Sequence, residues 1–173
     1  MRPDPSPRLV DAYSAAAVRM EGLGFVNPAL EVEAIGFAPW EGHWLGVLLT
    51  PWFMNLVLTP RDPERWLALA SGGKRLHAFP AGDFEFIGAR DDELGDFGMC
   101  SLFSPVREFA DQHTARLVAQ HARAALLDAQ NAEQSALDAE GPIAGVERRL
   151  SEPMSRRELL RGRVGATGDE PRR

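Results

Sequence analysis

The chain has 173 residues, of which 45% are hydrophobic and 25% are charged, and its formal net charge is −6. These values are typical of a globular domain whose core needs no disulfide or metal to hold it together. The single cysteine, Cys100, excludes an intrachain disulfide and any zinc site with two or more thiolates. We expect a cytoplasmic protein, because no secretory signal is recognisable and the longest apolar run, Trp44 to Leu49, is too short to span a membrane.

The charges are unevenly distributed along the chain. Residues 1–140 contain 11 basic and 20 acidic side chains, which gives −9, whereas residues 141–173 contain 8 basic and 5 acidic ones, which gives +3. An acidic body argues against a nucleic-acid-binding protein and favours a partner with a positive segment. The change in charge, together with Gly141-Pro142, predicts a folded domain over residues 1–140 and a basic tail over residues 141–173.

The order of the elements predicts an α+β fold. Ser6 and Pro7 are typical of a helix N-terminus, and the helix is expected to end at Gly22 and Gly24. Its apolar face comprises Leu9, Tyr13, Ala16, Ala17 and Met20. An antiparallel sheet of five or six strands is predicted from residues 31–37, 44–50, 52–58, 75–79, 84–87 and 97–102, with a turn over 39–42 and a loop over 59–63.

A long C-terminal helix is predicted to follow the sheet. Ser104 and Pro105 are typical of its first positions, and the pattern continues towards Leu137. Its predicted apolar stripe comprises Val106, Phe109, Ala110, His113, Leu117 and Ala124.

No catalytic, cofactor or metal site can be recognised from the residue spacing. The four histidines are scattered, there is no Gly-x-Ser-x-Gly motif, and Cys100 lies in an apolar run where a buried, unreactive thiol is expected. His113 and His121 are eight residues apart, without the i, i+4 spacing of helical metal ligands. We therefore predict a non-enzymatic protein without a cofactor.

Two clusters of side chains are candidates for partner binding. The apolar cluster follows the prolines at positions 39 and 51 and is either core or a groove for an apolar segment. The acidic cluster is either a solvated turn or the contact for a basic segment. The candidate residues are Trp40, Trp52, Phe53 and Met54 in the apolar cluster, and Asp91, Asp92, Glu93 and Asp96 in the acidic one.

Several strings of the sequence resemble the nickel–iron hydrogenase assembly chaperone family HybE, also called HupJ or HoxT. The strings are Asn27-Pro-Ala-Leu30, Glu33-Ala-Ile-Gly-Phe37, Trp44-Leu-Gly-Val47, Thr50-Pro-Trp-Phe-Met-Asn-Leu-Val-Leu58, Phe79-Pro-Ala-Gly82, Cys100-Ser-Leu-Phe-Ser-Pro105, Phe109-Ala-Asp-Gln112 and Met154-Ser-Arg-Arg-Glu-Leu-Leu-Arg-Gly162. The resemblance covers about residues 10–125, together with this last string. Some relatives carry a fused rubredoxin domain, whose iron needs four thiolates that this chain does not supply.

The resemblance implies a chaperone for maturation of an uptake nickel–iron hydrogenase. Its expected partner is the small subunit with its twin-arginine signal peptide, which it retains until assembly is complete; other hydrogenase maturation proteins are further partners. Neither nucleic acid binding nor insertion into a membrane is expected. Two alternatives stay open: a redox or thiol-dependent maturation factor acting through Cys100, and a subunit retained in the mature hydrogenase.

The tail contains a string that itself reads like a twin-arginine signal. Residues 155–161 are Ser-Arg-Arg-Glu-Leu-Leu-Arg, and their regulatory candidates are Arg156, Arg157, Leu159 and Leu160. One interpretation is a short helix, because Ser155 and Glu158 have the spacing of a capping box. The other is a pseudo-client that binds the acidic body until a real signal displaces it.

Overall fold

A computed structural model describes residues 1–66 and 69–132 of the chain. Its elements are α1 (Ser6–Met20), β1 (Glu33–Trp40), β2 (His43–Leu49), β3 (Met54–Pro60), β4 (Lys74–Phe79), β5 (Gly82–Asp91), β6 (Gly95–Phe103) and α2 (Gln112–Leu126). The strands form one antiparallel sheet in the order β1-β2-β3-β6-β5-β4. The predicted α+β class is confirmed. The predicted tail, including Arg156, Arg157, Leu159 and Leu160, lies outside the described residues.

Helix α1 covers one face of the sheet. Leu9 is fully buried in a cluster with Leu48, Val57 and Phe97, which alternate along their strands with residues that point to the other face. The helix begins at Ser6 rather than being capped by it. The carboxylate of Asp4 accepts hydrogen bonds from the Ser6 backbone N–H at 2.8 Å and from its hydroxyl at 2.6 Å, which fixes the first turn.

Helix α2 packs on the opposite face through small side chains. Ala115, Ala119, Ala122 and Leu126 recur at helical spacing and belong to the larger core cluster. The helix is tied to β1 by Glu33, whose carboxylate accepts from Arg116 Nε at 2.6 Å and from Gln112 Nε2 at 2.7 Å. Burial acts to raise the pKa of Glu33, but these hydrogen bonds and the charge of Arg116 outweigh it and lower that pKa.

The predicted start of this helix at Ser104-Pro105 is wrong, because α2 begins at Gln112. Asp111 is its N-cap and accepts from the Thr114 backbone N–H at 2.7 Å. The preceding segment is not helical, although Val106 and Phe109 are buried as a helical pattern would require. It is held by Asn27 instead, whose side-chain amide donates to the carbonyls of Val106 at 3.0 Å and Phe109 at 2.8 Å.

The first hairpin is tighter than the sequence pattern predicts. Pro39 and Trp40 lie in β1, and the turn consists of Glu41 and Gly42 alone, with φ values of 44° and 85°. A two-residue turn with positive φ at both positions matches the right-handed twist of the strands. Likewise, Pro60 belongs to β3, where it lies opposite His43, rather than to a loop.

Candidate partner-binding surface

Trp40, the first candidate apolar residue, lies at the end of β1 and is half-buried. Its ring stacks on Phe79 with centroids 4.4 Å apart and planes inclined by 21°. Both rings contact the larger core, on the α2 side of the sheet. Through this contact the two edge strands of the sheet, β1 with Trp40 and β4 with Phe79, meet on the α2 side.

The connection between β2 and β3 holds the other apolar candidates. The hydroxyl of Thr50 accepts from the backbone N–H of Trp52 at 3.3 Å and of Phe53 at 3.0 Å, which fixes a compact bend. The Phe53 ring meets Tyr13 of α1 edge-on at 5.7 Å and Trp52 at 5.8 Å. Both Trp52 and Phe53 are half-buried, and so they keep surface that a partner can contact.

Met54 does not keep such surface. Its side chain has no exposed area and belongs to the larger core cluster, since the first residue of β3 points towards the α2 side. As a contact residue for a partner, Met54 is therefore corrected to a core residue.

The acidic cluster forms the turn between β5 and β6, which we call the acidic turn (residues 91–96). The carboxylate of Asp91 accepts from the backbone N–H of Glu93 at 2.9 Å and of Leu94 at 3.1 Å, so it holds the turn's own backbone. Asp96 pairs with Arg90 at 3.0 Å. Asp92 and Glu93 are exposed, which leaves these two carboxylates as the ones best placed to meet a basic segment.

The apolar bend and the acidic turn lie at opposite ends of the sheet. The bend precedes the first residue of β3, which pairs with the last residue of β6. The acidic turn lies at the other end of β6 and includes its first residue. The seven residues of β3 separate the two ends by roughly 20 Å at about 3.3 Å per residue. Both ends border the α1 side, because Phe53 contacts Tyr13 and the charge of Asp91 acts on the same tyrosine.

Between these ends, a small polar group lies beside α1. The Tyr13 hydroxyl and the Asn55 amide both approach the Met99 sulfur, at 3.8 Å and 3.6 Å. Burial, with a smaller contribution from the charge of Asp91, raises the pKa of Tyr13 to about 12, so the phenol stays neutral at physiological pH. Asn55 Oδ1 and the hydroxyl of Ser101 are buried without a hydrogen-bond partner in the described part of the chain.

Sequence reasoning missed an uncovered part of the sheet next to this group. We call it the open sheet face: Lys74, Leu76 and Ala78 of β4 with Asp83, Glu85 and Ile87 of β5, which the register places on one side. Leu76 is 57% exposed and Ile87 44% exposed. Ile87 pairs with Met99, which places the open sheet face on the α1 side. The alternation of residues along β4 and β5 is visible in the sequence, but it does not predict which face of these strands the helices leave uncovered.

The histidines and Cys100 do not form a recognisable reactive site. His43 and His77 meet edge-on with ring centroids 6.1 Å apart, and burial lowers the pKa of both. Cys100 is half-buried beside the larger core. Within residues 1–66 and 69–132, no group of three or more His, Cys, Asp or Glu side chains could hold a metal ion.

A family comparison decides the class of protein. The model of the NiFe-hydrogenase assembly chaperone HybE matches residues 4–162. The chain belongs to the HybE family. This membership gives it a role in the assembly and maturation of NiFe-hydrogenases.

Similar proteins agree with this family. Hydrogenase expression/formation protein HupJ of Bradyrhizobium diazoefficiens is 39% identical over 146 residues, which cover 83% of this HybE-family chain and 78% of HupJ. Hydrogenase expression/formation protein HoxT of Azotobacter vinelandii is 38% identical over 154 residues, covering 88% of this chain and 92% of HoxT. The solution structure of HybE from Escherichia coli has the same fold, with a TM-score of 0.60, 23% identity and coverage of 90% and 93%. In the part that the structure describes, no helix has the length and apolar character to cross a membrane.

Proposed function

We propose that this chain is a non-enzymatic, cytoplasmic chaperone that binds the small subunit of an uptake NiFe-hydrogenase. The contact includes the twin-arginine signal peptide, and it delays export until assembly is complete. The chaperone family supports the general role. Other maturation proteins of the same hydrogenase are further partners.

The observation that carries this proposal is the polarity of the α1 side. Exposed carboxylates of Asp92 and Glu93 lie at one end, and the half-buried rings of Trp52 and Phe53 lie at the other. A twin-arginine signal has basic residues followed by an apolar stretch, and so it offers complementary groups in the same order. A helical segment of about 13 residues spans the roughly 20 Å between the two ends.

The uncovered surface between the ends suits a client that must later be released. Leu76 and Ile87 supply exposed apolar surface on the α1 side. The apolar part of this surface accepts different apolar sequences, because apolar contacts are not directional.

The test is binding of the purified chain to the small-subunit precursor and to the same subunit without its signal peptide. We expect the precursor to bind at least about tenfold more tightly, a difference of about 1.4 kcal/mol. Equal binding of the two forms would contradict the role of the signal peptide but leave the subunit as the client. Failure of both forms to bind would contradict the proposal.

Two control experiments separate the alternative functions. Replacement of Cys100→Ser should leave both binding and hydrogenase maturation in cells unchanged; loss of maturation with an intact fold would favour a thiol-dependent factor. In addition, the chain should be absent from purified mature hydrogenase. Its presence in stoichiometric amounts would favour a retained subunit.

A further inference from the structure

The open sheet face combines exposed apolar side chains with charged ones. Its two exposed aliphatic side chains, Leu76 and Ile87, lie on neighbouring strands. Asp83 lies exposed on the same side, and Glu85 is paired with Lys74 at 2.9 Å. The side chains of this face therefore favour an occupant that is apolar and positively charged.

The end of helix α2 contacts the turn that borders this face. The backbone N–H of Ala81, in the turn between β4 and β5, donates to the carbonyl of Leu126 at 3.1 Å. The last residue of α2 therefore lies at the turn that borders the open sheet face. A further 41 residues follow Ala132, the last described one, in the 173-residue chain.

Among those 41 residues, residues 155–161 combine adjacent leucines with a local excess of positive charge. Residues 155–161 carry three arginines, one glutamate and the adjacent Leu159 and Leu160, and residues 141–173 as a whole have a charge of +3. Twenty-two residues separate Ala132 from this segment. A randomly coiled chain of that length spans about 25 Å, more than the roughly 17 Å along β5 from Gly82 to Ile87.

We propose that residues 155–161 bind the open sheet face of their own chain. Leu159 and Leu160 cover Leu76 and Ile87, and the arginines lie near the carboxylates of the face. Because the segment is tethered, its effective concentration is about millimolar, and so even a weak contact is occupied much of the time. The docking of this segment is independent of the proposed function. The further expectation, that the segment leaves before a client binds, rests on the proposed function.

The experiment uses the full chain without any client. A spin label is attached at Ser151→Cys in a Cys100→Ser background, and the loss of intensity is measured for each backbone amide signal. We expect strong loss at Leu76 and Ile87. Leu117 is the internal control, since it is 43% exposed but lies on α2, on the other side of the sheet; its signal should keep most of its intensity.

Matched variants test the contact itself. Leu159→Ser with Leu160→Ser, or Ile87→Ser alone, should restore the lost intensity, whereas Leu117→Ser should not. Absence of loss at Leu76 and Ile87, equal loss at Leu117, or a loss that survives the leucine changes would overturn the proposal. Loss that appears on mixing spin-labelled with unlabelled, isotope-enriched chain would also overturn it, because the occupant would then be a second copy.

Discussion

At the scale of single residues, Asn27 organises the segment that leads from the sheet into α2. Its side-chain amide donates to two carbonyls, those of Val106 and Phe109, and its oxygen accepts from the Ala29 backbone N–H at 3.0 Å. Buried carbonyls that lose their donor retain the full cost of desolvation. We expect Asn27→Ala to lower the free energy of unfolding by about 2–3 kcal/mol, measured by urea denaturation.

The matched control for this change is Gln130→Ala, which alters an amide that is exposed to solvent. Its effect should stay within about 0.5 kcal/mol. Similar losses from the two changes would contradict the bridging role of Asn27.

Gly46 is a second position where one residue determines local packing. A Cβ added to it would overlap the Phe37 ring, which lies across the β1–β2 pair. We expect Gly46→Ala to cost about 1–3 kcal/mol through displacement of that ring, measured by thermal or urea unfolding. Gly24→Ala is the control, since a Cβ at Gly24 meets nothing within 4 Å; a loss as large there would point to a general effect of adding a methyl group.

At the scale of elements, the strands were predictable and the second helix was not. Alternation marks β4 and β5, whereas β2 and β3 are recognisable as short apolar runs because both of their faces are buried. Val106 and Phe109 have helical spacing, but the carbonyls around them bond to Asn27, which is distant in sequence. A local pattern cannot reveal such a partner, and for that reason it predicts the N-cap of α2 at Ser104, seven residues before Asp111.

The candidate surface shows the same limit. Local composition predicts which residues belong to this surface. Four of them keep exposed or half-exposed area: Asp92, Glu93, Trp52 and Phe53. Their separation follows from the pairing of β3 with β6, which are not consecutive in the chain. Met54 could not be told from its neighbours because burial depends on the face to which β3 presents it.

The pair His43 and His77 links β2 to β4, which are not neighbours in the sheet. Burial is the largest cause that lowers the pKa of both. The charge of His43, and then that of Arg75, lowers the pKa of His77 further. At His43, hydrogen bonds to the backbone of Glu41 and Trp40 and the charge of Glu41 partly compensate, and Arg65 lowers the pKa slightly. Because the unfolded chain then binds more protons than the folded one, stability is retained above pH 6.5 and is lost as the pH falls below that value.

We therefore expect the free energy of unfolding to decrease between pH 7 and pH 5.5. The double change His43→Gln with His77→Gln should flatten this decrease, as measured by urea unfolding at each pH. His121→Gln changes an exposed histidine on α2 and should leave the slope as it is. A slope that the double change does not alter would show that other groups cause the decrease.

At the scale of the whole molecule, an excess of acidic groups can attract a basic client from a distance, but only local carboxylates give that attraction a direction. Over residues 1–140 the net charge is −9. The sharpest test uses Asp92 and Glu93, since Asp91 holds the backbone of the acidic turn and Asp96 is paired with Arg90. Reversal of the exposed charges of Asp92 and Glu93 changes the electrostatics of the turn while the hydrogen bonds of Asp91 and the ion pair of Asp96 stay in place.

Asp92→Lys with Glu93→Lys should slow association with the small-subunit precursor about tenfold at low salt and flatten the dependence of the association rate on salt. The dissociation rate should change much less, because exposed charges at the edge of an interface act mainly on encounter. Stopped-flow binding over a range of salt concentrations measures both rates. The control is Glu64→Lys with Glu108→Lys, which alters the net charge by the same amount at two exposed positions outside the acidic turn. If the control slows association equally, the net charge of the body attracts the client and the acidic turn is not part of the contact.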